Sequence, residues 1–340
     1  MSAEVVLETR GLKKYFNTGQ SLKDWLFREE EPSVQAVDDV DIAVHAQESI
    51  GVIGESGCGK STLLRTLMGL YEPTDGDIVY KGKRMSEFSK ADWKAYRQNV
   101  QIIFQDPFNA INPKMKVREY LLEPLKLHNI DHRMERVEET LEQVELRPPE
   151  RYLNRYPDEL SGGELQRVGI ARALVTDPDI ILADEPVSML DVSTQASVLK
   201  LLGQIQERFG VSIIYISHDL STVSYVCDRI NVMYLGRVVE QAETRRLLEQ
   251  PKHPYARALI DAIPRPNPYS TRQRTDMEGS PRDPIGLDMG CRFRDRCPEV
   301  MPICEKKPRF VNDGEDHFVA CHLYYDHEKA PTPTAIGGDD

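Results

Sequence analysis

The feature that most constrains this chain is a glycine-rich loop placed between a predicted strand and a predicted helix. Ser49–Ile53 is a short apolar run typical of a buried strand, and the loop after it fits the pattern G-x-x-x-x-G-K-[ST]. Its glycines allow a tight turn that directs backbone N–H groups, and the N-terminus of the next helix, toward phosphate oxygens. The pattern predicts an ATP site in which Lys60 bridges the β- and γ-phosphates and the Ser61 hydroxyl binds Mg²⁺. The residues of this P-loop are Gly54, Glu55, Ser56, Gly57, Cys58, Gly59, Lys60, Ser61 and Thr62.

Short apolar runs alternate with amphipathic stretches from residue 1 to about residue 245. Strands separated by helices predict an α/β fold of P-loop NTPase type, with a mostly parallel sheet covered on both faces. Residues 106–165 carry the helical spacing Met134–Val144 among proline, asparagine and charge, which predicts a helical subdomain. We expect a nucleotide-binding domain over residues 1–250. Its buried strands are predicted at 49–53, 100–104, 180–183 and 211–216.

Charge and composition exclude several classes of protein. The 340 residues include 43 Lys and Arg against 55 Asp and Glu, so the net charge is −12. No overall positive field exists to hold a nucleic acid, and no run of ~18 apolar residues could span a membrane. The N-terminus lacks a basic-then-apolar leader. We therefore expect an intracellular protein whose six cysteines are reduced or bind metal.

A second apolar run ends in two acids that suit the same nucleotide. Ile180–Ala183 predicts a strand that places Asp184 beside the Mg²⁺ ion, directly or through water. Glu185 is one residue further and points to the other side, where it can polarise the attacking water. Two exposed acids closing a strand would explain this segment taken alone, but the P-loop earlier in the chain favours catalysis.

A third element predicts a second phosphate-binding loop. Leu160–Gln166 precedes an apolar helix, and the Ser161 hydroxyl with the amides after it forms another anion-binding helix N-terminus. One nucleotide needs only one such cradle from a subunit, so the second cradle is expected to serve the ATP of a neighbouring subunit. Its residues are Ser161, Gly162, Gly163 and Glu164.

The three elements, in this order, resemble those of the ATP-hydrolysing subunits of ABC transporters, where they are called the Walker A, signature and Walker B motifs. The resemblance covers about residues 5–245. Three further features belong to the same family pattern: Gln105 at the end of a strand, the turn Ser188–Asp191, and His218 after another strand. Two departures are mild: Glu164 stands where the family most often has Gln, and Met189 where Ala is usual. Neither removes a catalytic group.

The resemblance implies a role for each remaining motif residue. Phe16 would stack on adenine, with its neighbour Tyr15 as the second candidate. Gln105 would sense Mg²⁺ and the attacking water, and His218 would contact the γ-phosphate. Asp191 would communicate across a dimer of nucleotide-binding domains that closes on Mg·ATP.

Several segments resemble the ATPases of oligopeptide and dipeptide importers. These are Phe104–Pro107, Asn112–Pro113 and His253–Leu259, whereas the insertion at 17–35 before Ala36–Asp38 is more like the second of two paralogous ATPases. For the insertion itself, a surface loop with a short helix is one interpretation, and a helix that touches a membrane or another subunit is the alternative.

The resemblance to peptide-importer ATPases implies an assembly in which ATP hydrolysis drives the import of di- or oligopeptides or related solutes. The partners would be a paralogous ATPase, forming a heterodimer, two transmembrane permease subunits contacted through residues 106–120, and indirectly an extracytoplasmic solute-binding protein. The subunit would lie peripherally on the cytoplasmic face of the cell membrane. The alternative is a soluble ABC ATPase of translation or DNA repair, against which the single P-loop and the lack of sustained heptads argue.

Residues 251–330 form a predicted C-terminal extension, and 331–340 a predicted disordered tail. Four cysteines lie within 31 residues of the extension, without a C-x-x-C pair, which fits a zinc ribbon poorly. Four thiolates can hold one [4Fe-4S] cluster, and their surroundings resemble those in peptide-importer ATPases. A structural zinc, or cysteines that are reduced or disulfide-linked, are the alternatives. The cysteines are Cys291, Cys297, Cys304 and Cys321.

Overall fold

The computed structural model describes residues 4–17, 33–262 and 282–326. Most of the insertion predicted at 17–35, and the tail predicted at 331–340, lie outside the described residues. The strands are β1 (Val5–Asn17), β2 (Ser33–Val40), β3 (Ala43–His45), β4 (Ser49–Ile53), β5 (Asp75–Tyr80), β6 (Lys83–Arg84), β7 (Val100–Ile103), β8 (Ile180–Asp184), β9 (Ser212–Ser217), β10 (Arg229–Tyr234), β11 (Arg237–Glu243), β12 (Val311–Asn312) and β13 (Phe318–Val319).

The α-helices follow the strands in the alternation expected of an α/β chain. They are α1 (Lys60–Leu67), α2 (Lys90–Asn99), α3 (Pro107–Ala110), α4 (Val117–Leu127), α5 (Arg133–Gln143), α6 (Glu150–Leu153), α7 (Gly162–Leu174), α8 (Val192–Phe209), α9 (Leu220–Val226), α10 (Thr244–Glu249) and α11 (Pro254–Asp261). Among the described residues, none of these helices is both long enough and apolar enough to cross a membrane.

The described chain forms two compact units, of which the first draws on the described residues within 1–43, 50–86 and 217–340. An antiparallel sheet in this unit has the strand order β2-β1-β5-β6. In a second sheet, β4 pairs in parallel with β10, and β10, β11, β13 and β12 follow one another in antiparallel pairs. The loop between β4 and α1 is the P-loop, so this unit presents the predicted phosphate cradle.

The second unit consists of residues 44–49 and 87–216. Its strands β7, β8 and β9 are parallel, with β8 in the middle. The residues of β8 from Ile180 to Ala183 are fully buried, as expected of a parallel strand covered on both faces. Helices α4, α5 and α7 pack against one another and form the helical subdomain that the sequence predicts.

Most predicted elements are present, and the differences have a common cause. The four predicted strands are β4, β7, β8 and β9, and the Met134–Val144 spacing is α5. The antiparallel sheet of β1 and β5 was not predicted, because these strands are partly exposed and pair residues far apart in the chain. The extension, expected to be irregular, also contributes the two-residue strands β12 and β13.

Candidate functional site

The P-loop of the first unit has the geometry of a phosphate cradle. Lys60 is the first residue of α1, and its Nζ donates to the carbonyls of Gly54 at 2.7 Å and Glu55 at 3.0 Å. Gly59 has a φ of 107°, and a Cβ there would lie 1.9 Å from the Ala36 oxygen. Only glycine fits such a position. The loop is therefore folded tightly around the lysine expected to bind phosphate.

Accessibility along the P-loop differs between residues. Ser56, Gly57 and Ser61 are exposed, so a ligand can reach them from solvent. Cys58 is buried, and burial raises the pKa of its thiol. The thiol therefore stays protonated and packs inside the loop.

The two aromatic candidates for adenine stacking are placed differently. Tyr15 donates its hydroxyl hydrogen to Asp38, and burial raises the pKa of that hydroxyl. The Phe16 ring meets Tyr71 edge-on at 5.3 Å between centroids, and the Lys14 Nζ lies 5.1 Å from the Phe16 centroid. The hydroxyl of Tyr15 is thus engaged within the protein, which supports Phe16 as the stacking residue. Its contact with adenine stays a prediction.

The predicted catalytic acids lie at one end of β8 in the second unit. Asp184 ends the strand and Glu185 follows it with a φ of 43°, held by a hydrogen bond from its N–H to the Ile216 oxygen at 2.9 Å. Backbone conformations of this kind in non-glycine residues often occur at functional sites. Gln105, just after β7, donates from Nε2 to Glu185 Oε2 at 3.1 Å. The structure therefore brings together the predicted base and the predicted sensor of the attacking water.

The signature loop forms a reciprocal cap at the start of α7. The Ser161 Oγ accepts from the Glu164 N–H, and the Ser161 N–H donates to the Glu164 carboxylate at 3.0 Å. This backbone hydrogen bond holds the pKa of Glu164 below its usual value. At Gly163 a Cβ would lie 2.5 Å from Thr194 Cγ2. The departure from the family's Gln therefore supplies an acid that completes the cap.

Asp191 and His218 are the remaining predicted residues. Asp191 is the N-cap of α8 and accepts from the N–H groups of Ser193 and Thr194, while hydrogen bonds from their hydroxyls lower the pKa of its carboxyl. A structural role is thus evident for Asp191, and communication across a dimer stays a prediction. His218 follows β9 directly and its side chain is exposed.

The four cysteines of the extension lie near one another. Cys304 is buried, and its carbonyl accepts from the Cys291 N–H at 2.8 Å. Burial and, to a smaller extent, the other three thiols raise the pKa of Cys321 to about 12. Within the part of the chain that the structure describes, no three His, Cys, Asp or Glu side chains are arranged to hold a metal ion.

The segment His253–Leu259, which resembles a segment of peptide-importer ATPases, anchors the start of the extension. The Glu240 carboxylate accepts from the backbone N–H groups of Lys252 and His253. His253 then caps α11 by accepting the Tyr255 N–H at Nδ1, and burial lowers the pKa of His253 to about 3. The ring therefore stays neutral and keeps its acceptor.

Two arginines of the cysteine-rich segment contact distant residues of their own compact unit, and neither role was predictable from the sequence. Arg292 is buried and donates to Asp38, and burial lowers its pKa to about 10. Arg296 donates to Glu55 within the P-loop. Their position beside Cys291 and Cys297 in the sequence gives no indication of which carboxylates they pair with. The domain boundary predicted at residue 250 stays a prediction, although the extension touches the nucleotide-binding loop.

Known proteins are similar to this chain at the level of sequence. Residues 37–188 match the ABC transporter family model, and residues 239–304 match the C-terminal region of oligopeptide/dipeptide transporters. The chain is 44% identical over 328 residues to the oligopeptide transport ATP-binding protein AppF of Bacillus subtilis. The aligned region covers 94% of this chain and 98% of AppF. The chain belongs to the oligopeptide transport family of ABC transporter ATP-binding proteins. Another relative, OppF of Haemophilus influenzae, is 43% identical and covers 87% of this chain and 91% of its own length.

Solved structures agree with membership of the ABC transporter family. One is the dimeric ATP-binding cassette MJ0796 in a post-hydrolysis state, bound to ADP and Pi. It is 28% identical in sequence with a TM-score of 0.60, and the match covers 70% of this chain and 99% of the MJ0796 chain. CbiO1 from Clostridium perfringens is 25% identical with a TM-score of 0.61, and covers 73% of this chain and 92% of its own. The predicted P-loop NTPase fold and the prediction of an ATP-hydrolysing transport subunit are confirmed. The alternative of a translation or DNA-repair ATPase is not favoured.

Proposed function

We propose that this ABC ATPase powers the import of di- or oligopeptides, or of related solutes, through separate transmembrane subunits. The match of residues 239–304 to the C-terminal region of oligopeptide/dipeptide transporters carries the proposal. The names of relatives similar over nearly the whole chain, such as the oligopeptide transport ATP-binding protein AppF, support it. The subunit would lie peripherally on the cytoplasmic face of the cell membrane.

Hydrolysis is assigned to the motif residues described above. Lys60 would bind the β- and γ-phosphates, and Glu185 would take the proton of the attacking water. The hydrogen bond from Gln105 to Glu185 supports this assignment, because it orients the carboxylate of the base. His218, exposed after β9, would contact the γ-phosphate.

Magnesium fits the residues proposed to hold it. The exposed hydroxyl of Ser61 and the carboxylate of Asp184 are hard oxygen donors of the kind that Mg²⁺ prefers, and Gln105 offers a third oxygen. When bound, the ion would neutralise phosphate charge. Ser61 and Asp184 would hold the ion, while Glu185 would act on water.

Two ATPase subunits would share their sites. The Ser161 loop caps a helix of thirteen residues whose first amides suit a phosphate, and its own subunit already has a P-loop. We propose that this chain forms a heterodimer with a paralogous ATPase and that the Ser161 loop completes the ATP site of that partner. Residues 106–120 would contact the permease subunits. Asp191 would then lie near the dimer interface.

The import proposal is tested in the organism that makes the chain. We expect a tagged version to co-purify, in detergent, with two integral membrane proteins and a second ATPase, identified by mass spectrometry. Deletion of this chain should abolish uptake of labelled di- or oligopeptides, and the wild-type chain should restore it. Unchanged uptake of every labelled peptide, with normal assembly, would contradict peptide import and leave the ATPase assignment intact.

We further propose that Cys291, Cys297, Cys304 and Cys321 hold a [4Fe-4S] cluster, with zinc as the alternative. Support comes from the donor set, since four thiols that influence one another's ionisation lie on one segment. Burial raises the pKa of Cys291 to about 11, so metal binding must displace thiol protons. The side chains must also rearrange, because the described residues contain no group already arranged around a metal.

The cluster proposal predicts a brown protein after anaerobic purification, with about four irons per chain. Replacing any of the four cysteines by Ser should remove most of the iron, because each supplies one thiolate. Cys58→Ser and Cys227→Ser are the matched controls, since both residues are buried elsewhere in the fold and should leave the iron content unchanged. A colourless protein with one zinc per chain would support the alternative instead.

A further inference from the structure

The C-terminal extension makes a charged contact with the P-loop itself. The Arg296 guanidinium donates from both terminal nitrogens to the Glu55 carboxylate, at 2.8 and 3.0 Å. The exposed fractions of the two side chains are 8% for Arg296 and 23% for Glu55. Two parallel hydrogen bonds between a guanidinium and a carboxylate fix both groups in orientation. Residues 241 positions apart in the sequence are therefore held together at the loop expected to bind ATP.

A second contact fixes the backbone at the same residue. The Tyr255 hydroxyl accepts the Glu55 N–H at 2.9 Å, and burial raises the pKa of this hydroxyl, so it stays protonated. The Tyr255 ring is fully buried among aromatic neighbours, with centroids 4.6 Å from Tyr234 and 5.4 Å from Phe293. Arg296 also donates to the Tyr234 hydroxyl at 3.3 Å. The side chain and the backbone of Glu55 are thus both held by the C-terminal region.

We propose that Arg296 and Tyr255 are positioning residues for the P-loop, through which the C-terminal extension sets the affinity for ATP. Two physical effects support this. A loop already held in one conformation loses less entropy when it binds phosphate. In addition, Glu55 places a negative charge in a loop that receives a polyanion, and Arg296 neutralises that charge. The proposal rests on the nucleotide-binding role of the P-loop, which Lys60→Ala tests separately.

The first test is the equilibrium dissociation constant for Mg·ATP, measured with the full-length protein. Arg296→Ala should raise it roughly five- to thirtyfold, because the Glu55 carboxylate then faces the phosphates unneutralised. Arg294→Ala is the matched control: it lies in the same short turn and pairs with Asp288 inside the extension. That variant should bind ATP like the wild type.

A double-mutant cycle separates positioning from a general loss of structure. In a Glu55→Gln background no carboxylate is left unneutralised, so Arg296→Ala should change the ATP affinity by less than about twofold. Tyr255→Phe keeps the buried ring and removes only the hydroxyl, and should weaken ATP binding ~2–10-fold. In steady-state assays Arg296→Ala and Tyr255→Phe should each raise the KM for ATP and leave kcat nearly unchanged.

The outcomes are distinguishable. If Lys60→Ala abolishes ATP binding while Arg296→Ala and Tyr255→Phe bind normally, the inference is wrong and the nucleotide site stands. If Arg296→Ala lowers the ATP affinity equally in the wild-type and Glu55→Gln backgrounds, with a matching fall in thermal stability, then Arg296 acts only through packing. Normal ATP binding by Lys60→Ala would overturn the nucleotide site itself.

Discussion

Replacing Glu185 with Gln is expected to leave ATP binding nearly unchanged and to lower ATP turnover ~10²–10⁴-fold. The substitution keeps the size of the side chain and an oxygen that can accept from Gln105, but it removes the group that takes the proton of the attacking water. The backbone N–H of residue 185 still donates to the Ile216 oxygen, so the loop after β8 should keep its conformation. Turnover is measured in the assembled complex, and ATP binding by equilibrium titration.

Glu207 provides the matched control for this prediction. It is an exposed glutamate on α8 in the same compact unit, away from the end of β8. Glu207→Gln removes the same charge and should turn over ATP at the wild-type rate. If Glu185→Gln also keeps turnover within a few-fold of the wild type, the assignment of Glu185 as the base is wrong.

The second large effect is expected in a different subunit from the one that carries the mutation. Ser161→Arg places bulk and charge at the N-terminus of α7, where the γ-phosphate of the partner ATPase would lie. We expect hydrolysis at the partner's P-loop to fall about 10²-fold or more, while ATP binding by the isolated mutant chain is unchanged. Lys60→Ala should show the reverse pattern, with the loss at its own P-loop.

Nucleotide trapped at each subunit, measured by photo-crosslinking of an azido-ATP in the assembled complex, assigns each defect to one site. Ser161→Ala is the conservative control, since it loses the cap to Glu164 but leaves the loop open, and its effect should be much smaller. If Ser161→Arg weakens ATP binding in the isolated monomer as strongly as Lys60→Ala, the two subunits do not share their sites.

The parts of the fold that were predictable from sequence are those specified by local pattern. The strand β4, the P-loop and α1 follow one another within nineteen residues, and glycines such as Gly59 have no substitute in that turn. The strand β8 and its terminal acids are equally local, because burial on both faces requires a continuous apolar run. Motif and periodicity therefore suffice for the catalytic elements.

Interactions between distant segments were not predictable in this way. The pairing of β1 with β5 joins residues more than sixty positions apart, and partial exposure weakens the apolar alternation of both strands. The contact of Arg296 with Glu55 depends on the path of the whole chain between them. Asp191 was predicted from its motif as a signalling residue, whereas its visible contacts are those of a helix N-cap.

The short strand β13 has a consequence for the solution behaviour of a damaged protein. It covers one side of β11, where Glu240 pairs with Val319 and Gln241 with Phe318. Loss of the residues after 282 would expose the main-chain N–H and C=O groups of β11, and an uncovered strand edge readily recruits strands from other chains. A proteolytically nicked preparation should therefore self-associate and become turbid with time, instead of yielding a smaller monomeric ATPase.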